Sequence, residues 1–431
     1  MVVHGAPGTA RATDWDSAQR LDLDTLLRRY DAPRLSVRAA LEAMTYEDLQ
    51  ERGVVFFDAG FLAVFGEQWA RRRIRETSVA ATRSWLWSAW ESHALIERLR
   101  RTQESAVEDV PPQLSGWDVS HLRALMAHGR GLMLCSFHYG AFRHIATDLA
   151  ILGFDVVMAV DAKGTKEHGE AIASVPALRR LTLLDAEAPA AFERLRVVLE
   201  QGAIVLICVD GNTGQTGRGG GQHTVDFLGC TVRIKTGPAR LAAAVGSPLL
   251  HCVATRGRGE TGHVVLGPEL WPPTGNGDPT EQGFVPDAMA ALWDASAAAV
   301  RRDPVAWEGA RLLNRSRVAL ERVHSPHASL TIEALRAHFD GGRALRVNER
   351  WVADGWLDGR ACWTDVRSLS TFAFPDWASD VARALAERSG LTAQLVAAHG
   401  DLRAGQVLEL LQDLIRRDVV VWSDSDPTAS L

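Results

Sequence analysis

In Gly131-Leu132-Met133-Leu134-Cys135-Ser136-Phe137-His138-Tyr139-Gly140-Ala141-Phe142-Arg143 an apolar run stops at a histidine, and a glycine follows two residues later. The run is short and is bounded upstream by His128-Gly129-Arg130, which reads as a buried strand. Beyond it, Phe142-Arg143-His144-Ile145-Ala146-Thr147-Asp148-Leu149 repeats its apolar residues at helical spacing. A strand feeding a helix is the repeating unit of open α/β sheets, and such sheets place their chemistry at the C-terminal ends of strands. An imidazole at that junction suits general-base work near neutral pH, because its ordinary pKa lies close to the working range. A histidine in the same place also serves as hydrogen-bonded scaffolding, so the position alone leaves both roles open.

The frame around this stretch is a chain of 431 residues, long enough for two or three domains with separate cores. Hydrophobic content of 46% and charged content of 23% are those of an ordinary globular protein. A net charge of -6 argues against nucleic acid as the main partner, since phosphate neutralisation needs a basic surface. Lysine occurs only at Lys163, Lys166 and Lys235, the other cations being arginine. The five cysteines are Cys135, Cys208, Cys230, Cys252 and Cys362. They show no CxxC spacing and mostly sit in apolar runs, so free thiols in a reducing cytoplasm are expected and a metal site is not. Met1 to Ala18 lacks the basic patch and apolar core of a signal peptide. The most apolar early stretch, Val54 to Val64, is interrupted by Asp58 and is too short to span a bilayer. Phe56, Phe57, Phe61, Leu62 and Phe65 within and after it read as a buried helix face, with peripheral membrane contact as the alternative.

Three textures divide the chain. Residues 1–115 read as a helical layer, closed by Val110-Pro111-Pro112. Residues 116–325 alternate strands and helices, the signature of a largely parallel sheet flanked by helices. Strands are expected at Gly131–Phe137, Asp155–Val160, Ala203–Val209, Leu249–Ala254 and His263–Leu266. Helices are expected at Ala190–Gln201, Gly237–Val245 and Pro286–Arg301. The glycine-rich stretch Gly211 to Gly221 lacks the Gly-Lys-Ser/Thr ending of a phosphate loop and reads as a loop over the site. Residues 326–431 form a small α+β unit. Leu345–Val352 and Trp356–Trp363 read as strands paired about Asp358-Gly359. Helices at Asp376–Arg388 and Gln406–Asp418 and a closing strand at Val419–Trp422 follow.

Several blocks in order, between about Arg72 and Arg315, resemble the lipid A biosynthesis acyltransferase family of the lysophospholipid acyltransferase superfamily. Cys135 to Phe142 is similar to that family's block of apolar strand, His, small residue, Gly and aromatic, with Arg143 where the family has an acidic residue. Gly202 to Asp210 resembles its strand ending in Asp, and Val225-Asp226-Phe227-Leu228-Gly229 its Phe-Phe-Gly element. Lys235-Thr236-Gly237-Pro238-Ala239-Arg240 is similar to its Gly-Pro-Ala helix start, Gly246-Ser247-Pro248 to its Gly-Ala-Pro strand, and Asp303-Pro304-Val305-Ala306-Trp307 to its Pro-x-x-Trp.

The resemblance implies an acyltransferase fold and transfer of an acyl group from an acyl carrier protein or coenzyme A thioester to a hydroxyl or amine. No tightly bound cofactor is implied. His138 would be the general base, and Gly140, Arg143, Phe227, Gly229, Arg233 and Lys235 would meet substrate. The family's enzymes carry an N-terminal membrane anchor. A chain without one points to a soluble metabolite or peptide acceptor, in specialised-metabolite biosynthesis in the cytoplasm. Arg143 cannot orient the imidazole as a carboxylate does and would oppose its protonation. Asp210 is then the first choice for the carboxylate partner and Asp148 the second, with His144 a weaker alternative base. Alternatively Arg143 binds an anionic group of donor or acceptor through its fork. A third outcome is a degenerate site on a protein that binds peptides or carrier proteins. The element order of the tail is similar to small winged-helix modules that bind precursor peptides, the pyrroloquinoline-quinone chaperone-like fold, or to such a module used for packing.

Overall fold

A computed structural model of the chain describes residues 23–50, 52–66, 68–101, 110–211, 223–256, 262–273, 283–315, 330–348, 351–357, 360–365, 371–386, 396–397 and 401–422. Its centre is a seven-stranded sheet in the order β1-β9-β8-β2-β5-β3-β4. The strands are β1 (Leu114–Ser115), β2 (Leu132–Ser136), β3 (Val156–Val160), β4 (Leu181–Asp185), β5 (Ile204–Cys208), β8 (Leu249–Arg256) and β9 (Gly262–Leu270). β8, β2, β5, β3 and β4 run parallel, whereas β9 is antiparallel to β8 and carries β1 parallel to itself. All five residues of β2 are buried, as a central parallel strand covered on both faces requires.

Alternate side chains of β2 enter two different cores. Met133, Cys135 and Phe137 face one layer, which includes α4 (Val54–Phe65), α9 (Ala191–Glu200), α10 (Gly237–Val245) and α11 (Phe284–Arg302). Leu132 and Leu134 face the other, which includes α6 (Val119–Met126), α7 (Ile145–Ile151) and α8 (Ala162–Ala173). The sheet is thus a three-layer α/β sandwich. It has one strand more on its β3 side than expected: β4 carries the parallel run Leu181-Thr182-Leu183-Leu184, which a neighbouring proline and two arginines obscure in the sequence.

The described residues before Gly116 are not confined to a separate layer. α4 contributes Phe57, Phe61 and Phe65 to the core of the sheet, and β1 is one of its strands. Those phenylalanines are buried in protein, which removes the membrane-contact alternative for them. α5 (Arg71–Arg101) is one helix of 31 residues. α2 (Arg34–Ala43), α3 (Tyr46–Gln50) and α5 enclose a small core of their own. Among the described residues, no helix is long and apolar enough to cross a membrane.

The tail has an independent core around Trp363, Phe374, Val381 and Leu411. Its β11 (Trp351–Leu357) and β12 (Arg360–Asp365) form a hairpin, with Leu357 opposite Arg360, in place of the expected pairing of Leu345–Val352 with Trp356–Trp363. β10 (Leu345–Val347) is a separate strand, paired antiparallel with β14 (Val420–Trp422). Helices Ser379–Ala386 and Asp401–Arg416 complete the unit. The hairpin lies against α4.

Candidate active site

β2 and β5 are neighbours in parallel register, with Ser136 opposite Cys208. Two residues further along each strand stand His138 and Asp210, so the register itself brings an imidazole and a carboxylate together at the C-terminal edge. The chain leaves β2 towards β3 on one side and leaves β5 towards β8 on the other, opening the crevice in which such sheets bind ligands. His138 Nδ1 lies 2.8 Å from Asp210 Oδ1. The same carboxylate accepts the backbone N–H of His138, at 3.0 Å to Oδ1 and 3.2 Å to Oδ2. Asp210 is buried, whereas the His138 ring is partly open. A proton on Nδ1 bonded to Asp210 leaves Nε2 with its lone pair, the tautomer a general base needs.

The ring borders a cleft of about 400 Å³ on the α7–α8 face of the sheet. Its walls are apolar at Ile96, Met158, Ile172, Leu181 and Leu183, and polar at Asp161, Lys163 and Glu167. The edge of His138 packs on Phe142, with ring centroids 4.9 Å apart. Gly211 sits so close that a Cβ there would lie 3.4 Å from His138 Cε1. His168 also lines the cleft; burial and the neighbouring His93 depress its pKa, which favours the neutral ring. Among the described residues no cluster of His, Cys, Asp and Glu could hold a metal ion. Cys208 borders the cleft too, but burial, with Asp210 nearby, raises its pKa well above the usual thiol range and makes it a poor nucleophile.

Arg143 reaches the cleft but is already matched. Its Nη1 lies 2.6 and 2.7 Å from the two carboxylate oxygens of Glu308 and 3.2 Å from Ser88 Oγ. Glu308 is only 2% exposed. The expected opposition of Arg143 to a protonated His138 is therefore largely offset by an adjacent negative charge. Asp148, the second-choice carboxylate, is fully buried elsewhere and accepts the backbone N–H groups of Gln113 and Leu114, both at 2.8 Å. It fixes β1 rather than the histidine. His144, the alternative base, is buried with Nε2 3.3 Å from Glu91 and does not line the cleft.

The remaining expected substrate contacts are not at this cleft. Gly140, at φ +60°, lets the chain pass Ala254, whose carbonyl oxygen would lie 2.2 Å from a Cβ; it is a packing glycine. Phe227, Gly229 and Arg233 belong to a two-stranded hairpin, β6 (His223–Phe227) with β7 (Cys230–Ile234), on the opposite face of the sheet, and Lys235 directly follows it. Phe227 is buried against Trp293 and Trp307. Gly229 is in the two-residue turn with Leu228, both at positive φ, as the hairpin's twist demands. Arg233 is exposed and Lys235 half-buried. The loop expected over the site lies, after Gly211, outside the described residues.

Sequence reading missed the segment that backs the histidine. Gly140 N–H donates to Ala306 O at 2.8 Å, Tyr139 bridges Trp307, and the N–H groups of Glu308 and Gly309 donate to His138 O at 2.8 and 3.2 Å. A signal existed: an arginine in an otherwise apolar turn requires a buried carboxylate somewhere, and Glu308 directly follows the Pro-x-x-Trp block. Compared with protein-family models and with curated proteins, the chain matches none.

Proposed function

We propose that this protein is an acyltransferase that moves an acyl group from an acyl carrier protein or coenzyme A thioester to an amine or hydroxyl of a soluble metabolite or peptide. The observation that carries the reading is the His138–Asp210 pair at the mouth of a cleft with apolar walls. His138 Nε2 takes the proton from the attacking hydroxyl or amine as it adds to the thioester carbonyl. Asp210 holds the ring in the required tautomer and stabilises the imidazolium. The tetrahedral oxyanion collapses, the carbon–sulfur bond breaks, and the imidazolium returns its proton to the departing thiolate. Apolar walls suit the acyl chain. The C-terminal unit is proposed as a winged-helix-like module that presents a peptide or carrier-borne acceptor in specialised-metabolite biosynthesis.

The test is thiol release from acyl-coenzyme A and acyl carrier protein thioesters with a panel of amines and alcohols. His138→Ala and Asp210→Asn are expected to lower the nucleophile-dependent rate by at least ~10²-fold. Equal release by the native chain and His138→Ala would sink the reading and favour a binding protein with a degenerate site.

A further inference from the structure

The His138–Asp210 pair is held from behind by a segment some 170 positions beyond His138 and some 100 beyond Asp210, and the fit there is unusually close. A Cβ built on Gly309 would lie 2.1 Å from Asp210 Oδ2 and 2.4 Å from Trp307 Nε1. Carboxylate oxygen and indole nitrogen thus crowd the same point, which a bare Cα alone leaves open. The φ of Gly309 is not in the left-handed region, so backbone freedom is not what glycine supplies here. Neither neighbour can easily move aside. Asp210 is 6% exposed, has a short side chain and is committed to the Nδ1 and backbone N–H of His138. Trp307 is 1% exposed and packs edge-on against Phe61 and Phe227, and its buried Nε1 has no hydrogen-bond partner among the described residues.

The same segment grips the other member of the pair. The N–H groups of Glu308 and Gly309 converge on the His138 carbonyl, and the Glu308 carboxylate is fixed by Arg143, on the turn that follows the histidine. Backbone donors, the Arg143–Glu308 pair and the missing Cβ therefore fix three different parts of one unit.

We infer that Gly309 is a positioning residue for the imidazole–carboxylate pair, and that the Glu308–Gly309 step is a clamp that sets the distance between His138 and Asp210. The inference takes the pair named in the proposed function as its object but concerns its geometry, which can be read without turnover. A side chain at 309 pushes the carboxylate off Nδ1, since Oδ2 is the atom it meets first. The ring then loses the partner that fixes its tautomer.

The experiment uses the full chain with ¹⁵N-labelled histidine, the His138 signal being assigned with His138→Gln. The native protein is expected to show an Nδ1–H proton shifted downfield by its carboxylate partner. Gly309→Ala should abolish that signal and lower thiol release from an acyl thioester by ~10²-fold, the size expected when a base loses its orienting partner. Asp210→Ala should do the same. Asp210→Ala/Gly309→Ala should be no worse than Asp210→Ala, because the vacated carboxylate volume lets both the new methyl and the Trp307 edge settle. A general packing defect would instead add its loss in both backgrounds, and that additivity overturns the clamp. Retention of the Nδ1–H signal in Gly309→Ala overturns it as well. If Gly309→Ala does not fold, the double variant is expected to fold as Asp210→Ala does, and its failure counts against the inference. A native ring signature that Gly309→Ala abolishes, in a protein that turns over no thioester, leaves the clamp standing and removes the acyltransferase reading.

Discussion

At the scale of single residues, the decisive pairing is Arg143 with Glu308. Glu308 is almost closed to water while Arg143 reaches the cleft, so the pair matters less for what it adds than for what the buried carboxylate costs alone. Arg143→Met leaves the 2%-exposed Glu308 carboxylate uncompensated and is expected to destabilise the fold by about 3–5 kcal/mol. Arg143→Met/Glu308→Leu should recover most of that loss. Chemical denaturation of the four proteins in the cycle checks it: a double variant as unstable as Arg143→Met would mean the pair is not the relevant contact. Arg143→Glu, which restores an acid at that position, sets two carboxylates against each other and is expected to be worse than Arg143→Met unless Glu308 is changed to Arg with it. The sequence made His138 and Asp210 legible because each ends a continuous apolar run, and a parallel register turns that coincidence into contact. It did not make Glu308 and Gly309 legible, because their role rests on backbone hydrogen bonds and a close approach across the fold, and neither leaves a periodic trace.

At the scale of elements, the site depends on how α4 and the Glu308–Arg315 segment meet. A Cβ on Gly60 of α4 would lie 2.3 Å from Ala310 O and 2.8 Å from its carbonyl carbon. Gly60→Ala must therefore part the two backbones, at a cost of about 1–3 kcal/mol for an overpacked core. Because that segment also carries the Glu308–Gly309 step, thiol release should fall with the melting temperature; a drop in stability with unchanged turnover would show the two ends of the segment to be uncoupled. A second junction joins α5 to the sheet. Glu91 of α5 accepts from Arg34 of α2, from Arg256 at the end of β8 at 2.7 Å, and lies 3.3 Å from His144. Burial pushes its pKa up, but the bond to His144 and the charge of Arg256 outweigh this and bring it down from 4.5 to about 2. A carboxylate with a folded pKa below its unfolded one stabilises the fold above the unfolded value and loses that contribution as pH falls. The window here runs from about pH 5 to pH 2 and is worth about 3 kcal/mol. Thermal unfolding of the native chain should thus weaken across it, whereas Glu91→Gln, less stable at pH 7, should show a flatter profile. Parallel slopes would place the acid sensitivity elsewhere. Helices α9, α10 and α11 and strands β2, β3 and β5 were readable to within a residue or two, since each has clear punctuation. β1 and the β6–β7 hairpin were not: one is two residues long, and the other is held by local turn geometry and by packing against Trp293.

At the scale of the whole molecule, the question is whether the C-terminal unit is an appendage or part of the support. It has its own buried core around Trp363, Phe374 and Leu411, which favours independent folding. Its hairpin nevertheless lies on α4, and α4 is buried nearly all round, between α5, the Glu308–Arg315 segment and that hairpin. A helix apolar on every side needs cover on every side. Removal of residues 329–431 is thus expected to expose part of α4, lower the melting temperature and raise binding of a dye specific for apolar surface. Through α4 and Gly60 it should also loosen the segment that backs His138, so turnover of a small free nucleophile should fall together with use of a peptide or carrier-borne one. The opposite pattern is equally measurable: an unchanged melting temperature, unchanged turnover of the small nucleophile and a raised KM for the carrier-borne acceptor alone. That result would make the unit a recruiting module and leave α4 adequately covered without it. The first pattern is the one that follows from the packing, because a single helix touches the C-terminal hairpin on one side and the backing of the active-site pair on the other.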